Sequence, residues 1–244
     1  MLMRTLRAET IKLRRNPVWL IFLLLPLISA FMGTFNYLNN IAILKNQWYD
    51  LWTQHTLFSC SFFLPALIGI TCAVLCRIEN FGHNWNSVLS VPVRVSSVFF
   101  AKLLEAVGMT VLMQLWVGVL FILSGKLAGL QAPIPMNDLL AWLLFGAMGG
   151  AVICAVQLFL SLLIRSFAVP VGIALIGGIV GLLASAKGLG VYIPYALISV
   201  GMNANGSDAL SFYGSGRFSV SCILFFAVFS FAGILWMKKR DVAA

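Results

Sequence analysis

Six stretches of this sequence, at about 18–38, 57–76, 103–124, 138–164, 167–186 and 218–237, are almost unbroken runs of Leu, Ile, Val, Phe and Ala. Each is close to the ~20 residues that a helix needs to cross about 30 Å of hydrocarbon. In water, such helices would be apolar all round, with no face to present to solvent. Strands of a membrane barrel would alternate apolar and polar residues every second position, and these runs do not. A mean hydropathy of +1.00 agrees with a chain whose solvent is largely lipid. The reading is an all-α integral membrane protein of six transmembrane helices, a single transmembrane domain over 1–244. The first run, Val18 to Leu38, is too long for a signal peptide and no small-x-small cleavage site follows it, so it reads as an uncleaved first span. The run 138–164 exceeds a straight crossing and is expected to tilt or to project from the bilayer.

Six spans place both termini on one side. With the termini in the cytoplasm, Arg4, Arg7, Lys12, Arg14, Arg15, Arg77, Arg94, Lys102, Arg165, Lys238, Lys239 and Arg240 face inward, and Lys45, Lys126, Lys187 and Arg217 outward. That is 12 of the 16 basic residues inside, the bias expected of cytoplasmic loops. The net charge of +9 therefore follows from topology and from attraction to anionic lipid heads, and nucleic acid is not needed to explain it. Residues 1–16, "MLMRTLRAETIKLRRN", place Leu2, Leu6 and Leu13 on one side of a helix and Arg4, Arg7, Arg14 and Arg15 on the other. This is the pattern of a helix lying in the membrane interface, stopped by Asn16-Pro17. Glu9 falls near its apolar side, where it needs Lys12 or a base from elsewhere as a partner; the bland alternative is a solvated end. Trp19 and Trp236 read as inner interfacial anchors and Trp142 as an outer one. Gly146 and Gly150, and Gly177 and Gly181, form two GxxxG patterns that suit close helix packing or a hinge. With Arg165-Ser166 the only polar break between them, the fourth and fifth spans are expected to form an antiparallel hairpin.

Reactive constellations are sparse. Cys60, Cys72, Cys76, Cys154 and Cys222 all sit in apolar runs, in neither a disulfide nor a zinc spacing. His55 and His83 fall on opposite sides of the bilayer and cannot share a metal. No HExxH, GxSxG or pair of carboxylates within a span is present, and no GxxxxGK[ST] phosphate loop. Glu105 and Asp138, at span ends, fit surface roles at least as well as ion coupling. "NANGS", with a glycosylation triplet at Asn205, is equally a turn.

One polar stretch remains, "RIENFGHNWNSVLSVPVRVSSVFFAK" from Arg77 to Lys102, the longest inner connection. Trp85, Val88 and Leu89 recur at helical spacing before Pro92, a pattern for a short amphipathic helix that either docks in a partner's groove or rests on lipid heads. The glutamate after the second span, the Trp, the Pro-Val with a basic residue and the Ala-Lys-Leu-Leu resemble the permease subunits of type-2 ABC exporters. "RAETIKLRRNPVWL" is similar to the family's amphipathic opening helix, with Glu9 and Lys12 three apart, and "LWMKKRD" to its last span, closing at Asp241. The short length and "NWNSVLSVPV" resemble permeases of lantibiotic and peptide-antibiotic immunity.

The resemblance implies a permease that breaks no bonds itself and binds no cofactor, ATP and Mg belonging to separate ATPase subunits. It implies a second permease chain, identical or a sister, and a multi-pass place in a bacterial cytoplasmic membrane. Glu79, Trp85, Val88, Leu89, Pro92, Arg94 and Lys102 would couple to the ATPase. The interfacial helix, with Glu9, Lys12, Arg14 and Arg15, would lie against the same partner. The cargo would be an antimicrobial peptide. The outer segment 187–217 would fold back as short helices. Two other readings stand beside this one: a membrane protein that senses or sequesters peptide without transport, and an exporter of lipid or drug. A membrane hydrolase has little in the residues to support it.

Overall fold

The computed structural model describes residues 2–14, 16, 18–80, 94–204 and 216–240. Among them the chain is helical throughout, with no strand. The helices are α1 (Leu2–Arg14), α2 (Val18–Asn39), α3 (Gln47–Phe58), α4 (Leu64–Asn80), α5 (Val95–Leu127), α6 (Met136–Leu163), α7 (Ala168–Ala186), α8 (Leu197–Gly201) and α9 (Arg217–Arg240). A π-helical turn, Ser59–Phe63, joins α3 to α4 without a break, and two 3₁₀ turns, Gly190–Tyr192 and Pro194–Ala196, precede α8. Six helical rods are long and apolar enough to cross a bilayer, with α3 and α4 counting as one. Large exposed side chains along α2 (Leu20, Leu23, Phe31, Phe35), α7 (Ile176, Leu183) and α9 (Ile223, Phe231) leave an apolar girdle of the kind that lipid or another membrane helix covers.

The second and third spans are longer than their apolar runs suggest. The second begins at Gln47 rather than near residue 57, and the third starts at Val95 rather than near 103. At 1.5 Å per residue each rod is about 50 Å long, so both project beyond the hydrocarbon. The polar sequence "QWYDLWTQHT" continues the helix because it turns Trp48, Leu51, Trp52, His55 and Thr56 inward, where they are buried. Helix ends are closed locally. After α5 the N–H of Leu130 bonds to Gly125 O at 3.1 Å and that of Gly129 to Lys126 O at 3.1 Å, with Gly129 at φ 78°. Gly188 ends α7 in the same way, and Asn203 ends α8. This doubled bond needs a left-handed residue, which glycine and asparagine supply at least cost.

α6 is the centre of the molecule, packed by α4, α5, α8 and α9. The expected hairpin of the fourth and fifth spans does not form: α7 lies mainly on α4 and on the Ser59–Phe63 and Pro194–Ala196 turns, and meets α6 only slightly. The glycines explain the difference, because they make room for the folded-back segment 190–204. A Cβ on Gly177 would lie 2.6 Å from the Tyr195 ring, and one on Gly181 2.9 Å from Ala196 N. A Cβ on Gly149 would lie 2.6 Å from Ile198 N and one on Gly150 2.8 Å from Thr110 Cγ2, while Gly146 faces the Met202 side chain. Both GxxxG patterns thus abut other segments, not each other. Leu197, Ile198 and Met202 are fully buried in consequence. Trp142 is also buried, stacked on Trp52 at 5.1 Å, and is not an interfacial anchor. Trp19 and Trp236 are exposed, as anchors are.

Candidate functional site

The chemistry of the chain concentrates where α1, α4 and α5 meet. On α4, Cys72, Leu75, Cys76 and Glu79 share a face through helical spacing, and all are buried. On α5, Val98, Ala101, Lys102 and Ala106 form a similar buried face. Each face carries one ionisable group toward the other. α1 crosses above them with Leu13 and Glu9 turned inward and Arg4 and Arg7 outward.

The four charges form a closed alternating ring. Lys102 Nζ lies 2.8 Å from Glu9 Oε2, 3.2 Å from Glu79 Oε1 and 3.0 Å from the Leu75 carbonyl oxygen. Lys12 Nζ lies 3.0 Å from Glu9 Oε1 and 2.5 Å from Glu79 Oε1. Lys102 is fully buried, Glu9 and Glu79 are 2% exposed, and the Lys12 side chain, at 29%, forms the rim. Each carboxylate is shared by both ammonium groups, so the ring is neutral although its parts come from three helices. Burial pulls the Lys12 ammonium down, but bonding and attraction to Glu79 and Glu9 outweigh it and hold the group above the ordinary lysine value. A raised lysine contributes its full stabilisation below its ordinary value and loses it only as the pH rises beyond. Lys12 therefore stays charged through the physiological range.

Neighbouring bonds fix α1 in place. Thr10 Oγ1 lies 2.9 Å from Glu105 Oε2 on α5. At the corner into α2, Asn16 Oδ1 accepts the Val18 N–H at 3.1 Å, and the Trp19 indole N–H donates to Leu13 O at 3.1 Å. α1 is thus docked on protein along its inner face, with Met3 and Ile11 exposed on the other.

Several residues assigned to the loop stand elsewhere. Glu79 is in the last turn of α4 and Lys102 in the third turn of α5, both inside the ring, because an isolated charge on a buried helix face must find its opposite. Both are shielded from solvent, and each ties its helix to its neighbours. Arg94 is exposed at the start of α5, where its carbonyl accepts the Ser97 N–H at 2.8 Å. Arg77 is exposed and lies over the Phe167 ring at 5.5 Å. Trp85, Val88, Leu89, Pro92, His83, Arg15 and Asp241 lie outside the described residues, and of Arg14 only the backbone is described. His55 is buried between α2 and α5, its Nε2 2.9 Å from Thr34 Oγ1 and 3.1 Å from Ser124 Oγ. All five cysteines are buried, and none of them forms a disulfide. Among the described residues, no group of three His, Cys, Asp or Glu side chains could hold a metal.

The ring was only half legible in the sequence. The pairing of Glu9 with Lys12 follows from their spacing, whereas the Glu79–Lys102 partnership crosses 23 residues. The available signal was the position of each charge on the buried face of its own helix.

A family model described as "ABC-2 family transporter protein" matches residues 5–181, which include all four members of the ring and both helices that flank the 81–93 connection. The chain belongs to this family. No curated protein and no solved structure matches it significantly. As an ABC-2 protein with six apolar rods, it is a multi-pass membrane component of an ABC transporter, in bacteria a protein of the cytoplasmic membrane. The ABC-2 match extends from α1 through most of α7, so the ring belongs to the family portion of the chain.

Proposed function

We propose that the chain is the permease subunit of an ATP-driven exporter that expels a lantibiotic or similar antimicrobial peptide from the membrane. ATP is hydrolysed on separate subunits, and a second permease chain, identical or a sister, completes the pathway. The observation that carries the reading is the ring itself. It ties α1, α4 and α5 together at the root of the 81–93 connection, where a push from an ATPase would enter. In this mechanism the segment from Trp85 to Pro92 docks on the ATPase, and Arg94 stands at the edge of the contact. Glu79 and Lys102 lock the two helices that leave it, and Glu9 and Lys12 lock α1 to both. Motion of the docked segment then moves three helices as one body and not as three independent rods. The excess of inner lysines and arginines supports the cytoplasmic placement of this end.

The test is hydrolysis by the complex. The chain is purified with a candidate ABC ATPase subunit, and ATP turnover is followed as a cationic antimicrobial peptide is added. Peptide-stimulated turnover is expected, and it should be lost in Trp85→Ala and Glu79→Ala. If both variants assemble and protect cells from the peptide as well as the parent chain does, the coupling assignment is wrong. A chain that binds peptide but never stimulates an ATPase would instead be a sensing or sequestering protein.

A further inference from the structure

At the end of the molecule opposite the ring, a cavity of about 430 Å³ opens between α3, Trp142 of α6 and the residues Asn203 and Ala204 that follow α8. Its wall includes Tyr49, Asp50, Trp52, Trp142 and Asn203. Trp52 and Trp142 stack at 5.1 Å with 18° between their planes, and Tyr49 meets Trp142 edge-on at 5.7 Å. These rings are held from behind: the Trp52 indole N–H donates to Met202 O at 2.7 Å, and the Tyr49 hydroxyl bonds to Asp138. Asp50 Oδ2 accepts the Asn46 N–H at 2.7 Å. No lysine or arginine lines the cavity, and the side-chain ion pairs among the described residues all lie in the ring at the other end. The cavity thus has an aromatic wall and one carboxylate whose charge no lining base neutralises. Beyond Tyr49 lies a second cavity of about 670 Å³, but its wall balances Asp138 with Lys45.

We propose that the Asp50 cavity binds a primary ammonium group carried on an apolar stem, as in a lysine side chain of the exported peptide. This rests on the exporter reading above and specifies the substrate chemistry at its outer end. The exposed Tyr49 ring, braced edge-on against the buried Trp142–Trp52 stack, attracts a cation and also accepts its methylene stem. One carboxylate oxygen is already engaged by Asn46, which disfavours the two-point grip of a guanidinium and suits the single-point contact of an ammonium. The Asn203 carboxamide stands in the same wall as a further acceptor for its remaining protons.

The test uses the full chain in phosphatidylcholine nanodiscs without an ATPase, with empty nanodiscs subtracted. Its probes are a fluorescent amphipathic lysine peptide and the same peptide with every lysine acetylated. The parent chain should bind the lysine form at least about tenfold more tightly, the usual scale for a charge-assisted hydrogen bond. Asp50→Asn keeps an acceptor for the Asn46 N–H, and should reduce the preference to within about twofold without changing the unfolding temperature; Asp50→Glu should retain it. Replacing part of the lipid with phosphatidylethanolamine, whose headgroup is also an ammonium, should leave peptide binding unchanged. Equal binding of the two peptides, an unaltered preference in Asp50→Asn, or displacement of the peptide by phosphatidylethanolamine would each overturn the proposal. Because no ATPase is present, these outcomes are separate from success or failure of the hydrolysis test.

Discussion

At the scale of single residues, the molecule turns on Lys102, a fully buried ammonium with two carboxylates and a carbonyl around it. A buried ion pair contributes little net stability, since desolvation offsets attraction, yet removing one partner leaves a charge with nothing to meet it. Lys102→Met leaves Glu9 and Glu79 with Lys12 alone. It should destabilise the chain by about 3–5 kcal/mol, read as a large fall in thermal unfolding temperature in detergent. An unchanged unfolding temperature would mean that the ring is not closed in the folded protein. The sequence showed these charges but misplaced two of them. Glu79 and Lys102 flank a polar stretch and so look like loop residues, and only the apolar neighbours on their own helix faces say otherwise. Asp50 was missed, and Trp142 was read as an interfacial anchor, for a related reason: the helix that buries Trp142 against Trp52 begins in sequence polar enough to pass for an outer loop.

At the scale of elements, the segment 190–204 shows what hydropathy can and cannot specify. It lies within the outer segment 187–217, for which the family resemblance implied a fold-back as short helices; residues 205–215 lie outside the described residues. Its seat was not legible, because GxxxG marks a close approach without naming what approaches. Here Gly149 meets the backbone at Leu197 and Ile198, and Gly177 meets the Tyr195 ring. The expected pairing of the fourth and fifth spans failed on this point: those small residues serve α8 and its preceding turns instead. Tyr195 adds a polar tie, accepting the Gln157 Nε2–H at 2.6 Å. Gly149→Val should therefore cost about 1–3 kcal/mol by overpacking and loosen α8. By contrast Gly172→Ala, where an added Cβ meets nothing within 4 Å, should be neutral or slightly stabilising. Thermal unfolding of the two variants side by side checks this; equal losses would place segment 190–204 elsewhere.

At the scale of the whole molecule, the six spans were legible because the bilayer imposes one length on every crossing helix, and that length is written in the apolar runs. The parts that leave the hydrocarbon were less legible, since there polar residues can extend a helix as readily as end it. The two ends of the protein differ in kind: one is tied by four charges on three helices, the other lined by aromatic rings and a carboxylate without a base beside it. An exporter needs such a difference, with force entering at one face and cargo leaving at the other. On the proposed function, the ring transmits that force and is not merely a means of burying four charges. The direct measurement is peptide-stimulated ATP hydrolysis by the quadruple variant Glu9→Leu, Lys12→Met, Glu79→Leu, Lys102→Met, assembled with its ATPase. No charge is left unpaired, so the chain should fold, as apolar replacement of whole buried ion networks often allows. The directional ties between α1, α4 and α5 are gone, so hydrolysis should no longer respond to peptide. A folded, assembled quadruple variant whose hydrolysis rises with peptide as the parent's does would contradict the account.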